Sequence, residues 1–537
     1  MIKQSKYILT MATAVMLVAG SCTKDFKDYN KNPYGATNDD LLPDYGLVVG
    51  QLKEAQRSIY VYQPAWVTQL QQNLMGDVFS GYMMSPTPFR GNSNNLNYDL
   101  VDGWNLYVLT SAYSSPEASV MAPLSNVETI TKTAAPTLYA MAKILKVEAM
   151  HRVSDIFGPI MYSKYKVRAA DGGYDYDSQQ EAYNNFFKDL NEAITILTPL
   201  RTEKSTPTFT SADLVYGGSH AKWLQFANSL RLRLALRIVK ADEAKARTEG
   251  EAALANAGGL LTEAADNFSI NIGATEHPLN TISGAWMDIR MGAPVESIMT
   301  GYKDPRLPKY FIPAKDGAVA GQYKGIRNGI DIDAKSRYQD YSALVKLPSL
   351  LQLMPAAEAW FLKAEAAIRG WARAGDAKDN YESGIKTSFT QYGLHPDSAA
   401  KYINDAVSKP APYIDPKAIT PGQNDVKSTD PWLSTITIKW ENGDAFDKKL
   451  ERVITQKWIS TFPDGQEAWS EFRRTGYPKL FPVVINNSGG KIATNTFIRR
   501  INLPPDEYLT NPNGAKRAAA TLGGPDNGGT RLWWDRP

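Results

Sequence analysis

The stretch 355-PAAEAWFLKAEAAIRG-370 and its continuation 376-DAKDNYESGIKTSFTQYG-393 decide the fold. They read as two amphipathic helices joined by a short turn that contains Gly375, and the small residues Ala357, Ala364 and Ala367 let such helices pack closely. The same helical period recurs along the chain. Leu138, Met141, Ala142, Leu145, Ala149, Val153 and Ile156 form one stripe, which Gly158-Pro159 stops. Ser178, followed three residues on by Glu181, has the pattern of a capping box and opens a helix with Ala182, Phe186, Leu190, Ala193, Ile194 and Leu197 on one face; Pro199 is expected to close it. In 219-SHAKWLQFANSLRLRLALRIV-239, Arg231, Arg233 and Arg237 alternate with leucines as in a strand. The length of the segment and the period of Trp223, Ala227, Leu230 and Leu234 argue for helix instead. Helical hairpins in series are the sequence form of a tetratricopeptide-like array, although the strict consensus of about 34 residues is absent. The expected fold class is mostly α: a tetratricopeptide-like helical hairpin array with a second, irregular, loop-rich half that binds ligand.

That second half is read from residues 76–104, 272–347 and 396–440, where Gly, Pro, Asn and aromatics dominate. Loops of more than about 15 residues in a compact domain are usually functional or disordered, and these carry too many aromatics for disorder.

The single cysteine of the 537-residue chain, Cys22, follows a positive stretch with Lys3 and Lys6, an apolar run from Ile8 to Ala19, and the small residues Ala19-Gly20-Ser21. This is the pattern of a lipoprotein export signal over 1–21 with lipid attached at Cys22. The apolar run is shorter than the roughly 20 residues a bilayer-spanning helix needs. Residues 22–40 are polar, rich in Asn and Asp and without period, and read as a flexible tether.

Loss of Lys3 and Lys6 with the signal lowers the formal charge from +3 to +1. No basic face remains, which excludes the nucleic-acid binders. A chain this long exceeds what one core usually supports, so two interpenetrating subdomains are expected. The four histidines, His151, His220, His277 and His395, have no metal-binding spacing, and neither HExxH nor GxSxG occurs. No EF-hand spacing is present either. No cofactor, no metal and no catalytic residue are expected. Twelve Trp and 28 Tyr stand out, flat apolar faces with polar handles. In 455-TQKWISTFPDGQEAWSEFRRTGYPKL-480, arginines stacked on Trp faces and paired with Glu467 or Glu471 would join helices to the next loop; Asp304-Pro305-Arg306 reads as a capped turn with an internal ion pair.

The chain resembles the SusD/RagB family of outer-membrane lipoproteins. The resemblance runs through the tether CTKDFKDYNKNP, 141-MAKILKVEAMHRVSDIFGPIMY-162, 216-YGGSHAKWLQFANSLRLRLALRI-238, 304-DPRLPKYF-311 and 358-EAWFLKAEAAIRGW-371. It ends in 455–480, Arg499-Arg500 and the terminal 533-WWD-535, in the family's order. It implies a single SusD-like domain over 41–537 in a lipid-anchored protein on the outer face of the outer membrane. Such a protein caps a SusC-like TonB-dependent barrel transporter, captures oligosaccharides and delivers them for import. In an alternative within the same family the ligand is an oligopeptide, and a third possibility is a structural subunit that only seals the transporter. Lys24-Asp25 is similar to the short charged signal that sends such lipoproteins outward.

A glycan site needs a flat aromatic for the apolar face of a pyranose, flanked by Asn, Asp, Arg or Gln for its hydroxyls. Two loop segments supply both, and the expected ligand-binding residues are Tyr82, Phe89, Tyr98, Trp286, Arg290, Tyr323, Tyr338 and Tyr341. Replacing Trp286 or Tyr82 by Ala is expected to abolish binding without loss of folding. Trp104 reads as the anchor at a helix start, and Trp533-Trp534 as a pin for the C-terminus.

Overall fold

The computed structural model describes residues 45–113 and 119–537; the signal segment, Cys22 and the tether to residue 40 lie outside the described residues. The chain divides after Gly50. The first unit is described only in residues 45–50, which open a helix, and the second runs from Gln51 to Pro537. The longer α-helices are α1 (Gly46–Ile59), α2 (Asp102–Tyr113), α3 (Met121–Thr131), α4 (Pro136–Phe157), α5 (Gln179–Leu200), α6 (His220–Arg237), α7 (Glu243–Ala255), α8 (Ala356–Ile368), α9 (Ala377–Gln391), α10 (Pro396–Ile403), α11 (Phe446–Thr461), α12 (Gly465–Thr475) and α13 (Pro512–Ala520).

Local chemistry sets their ends. Ser178 Oγ accepts from Glu181 N at 3.2 Å while Glu181 Oε2 accepts from Ser178 N at 2.8 Å, so the capping box forms at the start of α5. Gly158, at φ +90°, ends α4 in a conformation that L residues rarely adopt. Pro199 does not close α5. It is the penultimate residue of the helix, which runs one residue further to Leu200, so the N–H that proline lacks is missing only as the helix ends. Asp376 caps α9, accepting from Asp379 N at 2.9 Å.

The pairs α4/α5, α6/α7, α8/α9 and α11/α12 each pack as hairpins; α5 then packs on α6, α6 on α8, and α8 on α11. Ionic groups run through the seams of this stack. Arg233 of α6 holds Glu358 of α8 at 2.7 and 2.8 Å, and Lys457 of α11 reaches the same carboxylate at 3.2 Å. Arg237 donates to Glu467 of α12 at 2.5 Å, Arg474 grips Glu365 at 2.6 and 2.7 Å and Glu471 at 2.6 Å, and Arg152 of α4 grips Asp464 at 2.7 and 2.9 Å. Burying such charges is tolerated only when each finds a partner, so sequence motifs that look like a polar site are mortar between hairpins. Arg473 lies 3.5 Å over the Trp469 ring, and Arg306 forms the internal pair with Asp304 at 2.6 Å. Trp534 is buried, its indole donating to Asp155 at 2.8 Å.

The rest is short elements. Strands β1 (Met83–Met84), β2 (Phe268–Asn271), β3 (Arg290–Met291) and β4 (Leu350–Met354) pair antiparallel, β1 with β3 and β2 with β4. Ladders this short, and helix ends such as that of α11, leave buried carbonyls without a backbone partner, yet buried carbonyls need donors. Tyrosine supplies them. Tyr302 donates to Ile436 O at 3.0 Å, Tyr310 to Ile459 O at 3.0 Å, Tyr381 to Ile438 O at 2.6 Å, Tyr413 to Gly325 O at 2.9 Å, and Tyr82 to Trp458 O. Much of the aromatic excess is thus a device for packing long loops onto helices.

Candidate functional site

That device corrects most of the expected site. Tyr82 is 1% exposed, its ring 4.7 Å from that of Trp458, and burial pushes its hydroxyl well above the ordinary range. Tyr98 is buried as well. Tyr338 and Tyr341 are buried edge to face against each other, with Tyr338 donating to Asp415 at 2.8 Å. None of these four rings offers a free face, because each closes a loop onto the core. Arg290 is 4% exposed and lies outside this surface, with Nε and Nη1 held by carbonyls, and Tyr323 packs half-buried on the main core.

Phe89 and Trp286 are half-buried at the surface, Trp286 resting on the same core as Tyr323, and the structure gathers other aromatics with them. Trp104 and Tyr107 stand three residues apart on α2 and so share a face. Phe89 meets Trp104 edge-on with centroids 5.7 Å apart. Trp66 meets Tyr107 edge-on at 5.2 Å and is 41% exposed. Trp66 sits on the helical turn Ala65–Thr68, whose N-cap is Pro64. Trp286 follows directly on the turn Thr281–Ala285, which packs beside Ala65–Thr68.

Asp288 fastens these pieces together. Its Oδ1 accepts from Thr87 Oγ1 at 2.6 Å and from Lys335 Nζ at 2.7 Å, and its Oδ2 accepts from Gln69 Nε2 at 3.2 Å. Lys335 Nζ also donates to Trp286 O at 2.6 Å, and Asn92 Nδ2 donates to Asp331 Oδ1 at 2.8 Å. Met287 between them holds φ +54°, a left-handed conformation costly for a side chain of its size. Strain of this sort collects where surrounding structure fixes a functional loop. The outcome is a surface row of half-buried aromatics beside the exposed Trp66, rimmed by amide, hydroxyl, carboxylate and ammonium groups. Trp66 and Tyr107 were invisible to loop composition because both lie on helical turns. Trp104 does open its helix, but its ring also joins this row.

Among the described residues no group of three or more His, Cys, Asp or Glu could hold a metal ion, and no helix is long and apolar enough to cross a membrane. Fold and site together define a helical-hairpin protein in which helical turns and loops join to present an aromatic surface.

The chain belongs to the SusD-like family, whose model, the SusD and RagB outer membrane lipoproteins, matches residues 28–535. It is similar to a chitin-binding SusD homologue from Flavobacterium johnsoniae, with 44% identity and TM-score 0.85 over 91% of this chain and 98% of that one. SusD homologues from Bacteroides vulgatus (36% identity, TM-score 0.84, 92% and 98% covered) and Bacteroides uniformis (35%, 0.82, 91% and 99%) are also similar. No protein of curated function matches the sequence.

Proposed function

We propose that this is a non-catalytic lipoprotein of the cell surface that captures oligosaccharides on the row Phe89, Trp104, Tyr107, Trp66 and Trp286 and hands them to a SusC-like TonB-dependent transporter. The observation that carries the reading is the exposure of Trp66 beside the edge-on Tyr107 in a row fixed by Asp288. Indole and phenyl faces suit the apolar face of a pyranose, while Thr87, Asn92 and Lys335 stand at the rim for hydroxyl and acetamido groups. The likeness to a chitin-binding homologue supports β-linked N-acetylglucosamine oligomers as the first ligands to try.

An open row of this kind exchanges water for sugar at most polar contacts, so the affinity belongs in the micromolar to millimolar range. Calorimetry of chito-oligosaccharides and of neutral glucans against the wild type and against W66A and W286A tests the reading. Binding that is weakened in both variants supports it, and unchanged affinity in both sinks it. Lipid attachment at Cys22, the outward orientation and the single SusD-like domain belong to the same proposal. Co-purification of the barrel with the tagged wild type, and release of the tagged protein from the membrane on C22A, check the partnership and the anchor.

A further inference from the structure

The structure assigns an anion subsite to the cleft centred on Arg290, with the carboxylate of an acidic sugar residue as its ligand. Most fully buried arginines in this chain face a carboxylate, among them Arg152, Arg233, Arg306 and Arg474. Arg290 does not. Its Nε donates to Gln339 O at 2.5 Å and its Nη1 to Ser283 O at 2.9 Å and Ile289 O at 2.6 Å, while Nη2 has no acceptor among the described residues. Carbonyl dipoles orient a guanidinium without neutralising it, and a buried charge left without a counter-ion is costly. Arg327 and Arg473 are likewise held by carbonyls, but both are packed against aromatic rings. Arg290 instead borders a cleft of about 370 Å³, within the size range of small-molecule sites.

The cleft's other charged groups are Lys315, Lys346, Glu276 and Asp340. Glu276 and Lys346 stand 3.7 Å apart and largely offset each other in solvent. Asp340, and after it Asp288, raise the affinity of Arg290 for its proton without forming an ion pair with it. Burial lowers Arg290 only to about 10, so the group is a cation at neutral pH. Asp288 is matched by Lys335 outside the cleft, so Arg290 and Lys315 against Asp340 leave one positive charge in the lining. Nη2, the nitrogen without an acceptor among the described residues, can donate a charge-assisted hydrogen bond to a carboxylate oxygen, and Met287, Ile312, Pro313 and Leu344 give the apolar wall a sugar ring requires.

Segment 283–290 divides the two regions. Trp286 and Asp288 belong to the aromatic row, whereas Ser283, Gly284, Met287 and Arg290 line the cleft. A sugar acid is chosen over other carboxylates because the cleft adjoins that row, and this choice rests on the reading given under Proposed function. The cation and its cavity do not.

The test is calorimetry on the full-length protein in detergent, with tri-galacturonate, its fully methyl-esterified form, triglycine, and a neutral chito-oligosaccharide as control. Tri-galacturonate should bind at least about tenfold more tightly than the ester, the scale of one charge-assisted contact, and added salt should weaken it. R290Q should remove that preference. Because Arg290 also holds three carbonyls, D340N provides the independent variant: with the competing carboxylate gone, tri-galacturonate should bind several-fold more tightly. Equal binding of acid and ester, no tightening in D340N, or binding of triglycine without tri-galacturonate would each overturn the proposal. Loss of chito-oligosaccharide binding alone sinks the aromatic row and leaves the cleft standing.

Discussion

Thr87 Oγ1 donates to Asp288 Oδ1 at 2.6 Å, joining the loop that carries Phe89 to the one that carries Trp286 across 201 residues of sequence. Asp288 takes two further donors, Lys335 and Gln69, so removal of its carboxylate leaves three partly buried groups without their acceptor. D288A should keep the helical array intact. It should lower stability by about 1–3 kcal/mol, the scale of stranded polar partners, and weaken glycan binding as the row loosens. Urea unfolding and calorimetry on one preparation check both halves.

Trp66 and Tyr82 separate surface from core. W66A removes an exposed ring and should weaken binding by about 1–2 kcal/mol with the unfolding midpoint unchanged. Y82A removes a ring packed between Trp458 and Phe462 and should cost about 3–5 kcal/mol of stability. Y82F, which loses only the donor to Trp458 O, should cost about 1–3 kcal/mol and leave affinity as it was. The comparison is read from thermal midpoints set beside dissociation constants.

The contrast between these two residues also marks what the chain discloses unaided. Helices α4, α5, α6, α8 and α9 are legible because a stripe with a 3.6-residue period, a capping Ser178 or a terminal Gly158 acts over one or two turns. Which loop aromatic faces solvent depends on contacts hundreds of residues away: Tyr82 meets Trp458, and Tyr338 meets Asp415. Tyr82 shares its loop with the half-buried Phe89, and nothing in the composition around them tells the two rings apart. Composition therefore located the loops and placed Trp286 and Phe89 among the candidates. It passed over Trp66, whose exposure comes from the packing of a short helical turn rather than from any motif.

Glu358 sits where three hairpins meet, bonded to Arg233 and approached by Lys457. Removing one member of a buried ionic group leaves the others charged and unmatched, at about 3–5 kcal/mol. E358A should show that loss, while the double variant E358A/R233M should recover part of it. Nearby Glu467 is pushed up by burial, but Arg237, Arg233 and Lys457 outweigh this and hold it at about 2. A carboxyl depressed in this way contributes stability that is complete above its unfolded value of about 4.3 and is lost as pH falls toward 2. E467Q should therefore be less stable than the wild type at neutral pH, with the difference shrinking on acidification below about pH 4.

Asp77 has the opposite sign. Burial raises it to about 8 against the hydrogen bonds from Asn73 and Gln72, and Asp464 adds to the rise. A carboxyl whose folded value exceeds its unfolded value of about 3.9 binds more protons in the native state, so its contribution weakens as pH rises from about 4 to 8. Glu148, raised to about 8 mainly by burial, acts in the same direction. Asn73 Oδ1 is buried without a donor, and a flip of that amide would give the protonated Asp77 an acceptor. D77N substitutes a neutral group that still accepts from Gly465 N, the contact that seats the start of α12. The variant should match the wild type near pH 5 and exceed it by about 1–3 kcal/mol at pH 8.5, the cost of a buried group left charged. Chemical denaturation across that range decides the matter, since parallel pH profiles would mean that Asp77 is already ionised in the native protein at neutral pH.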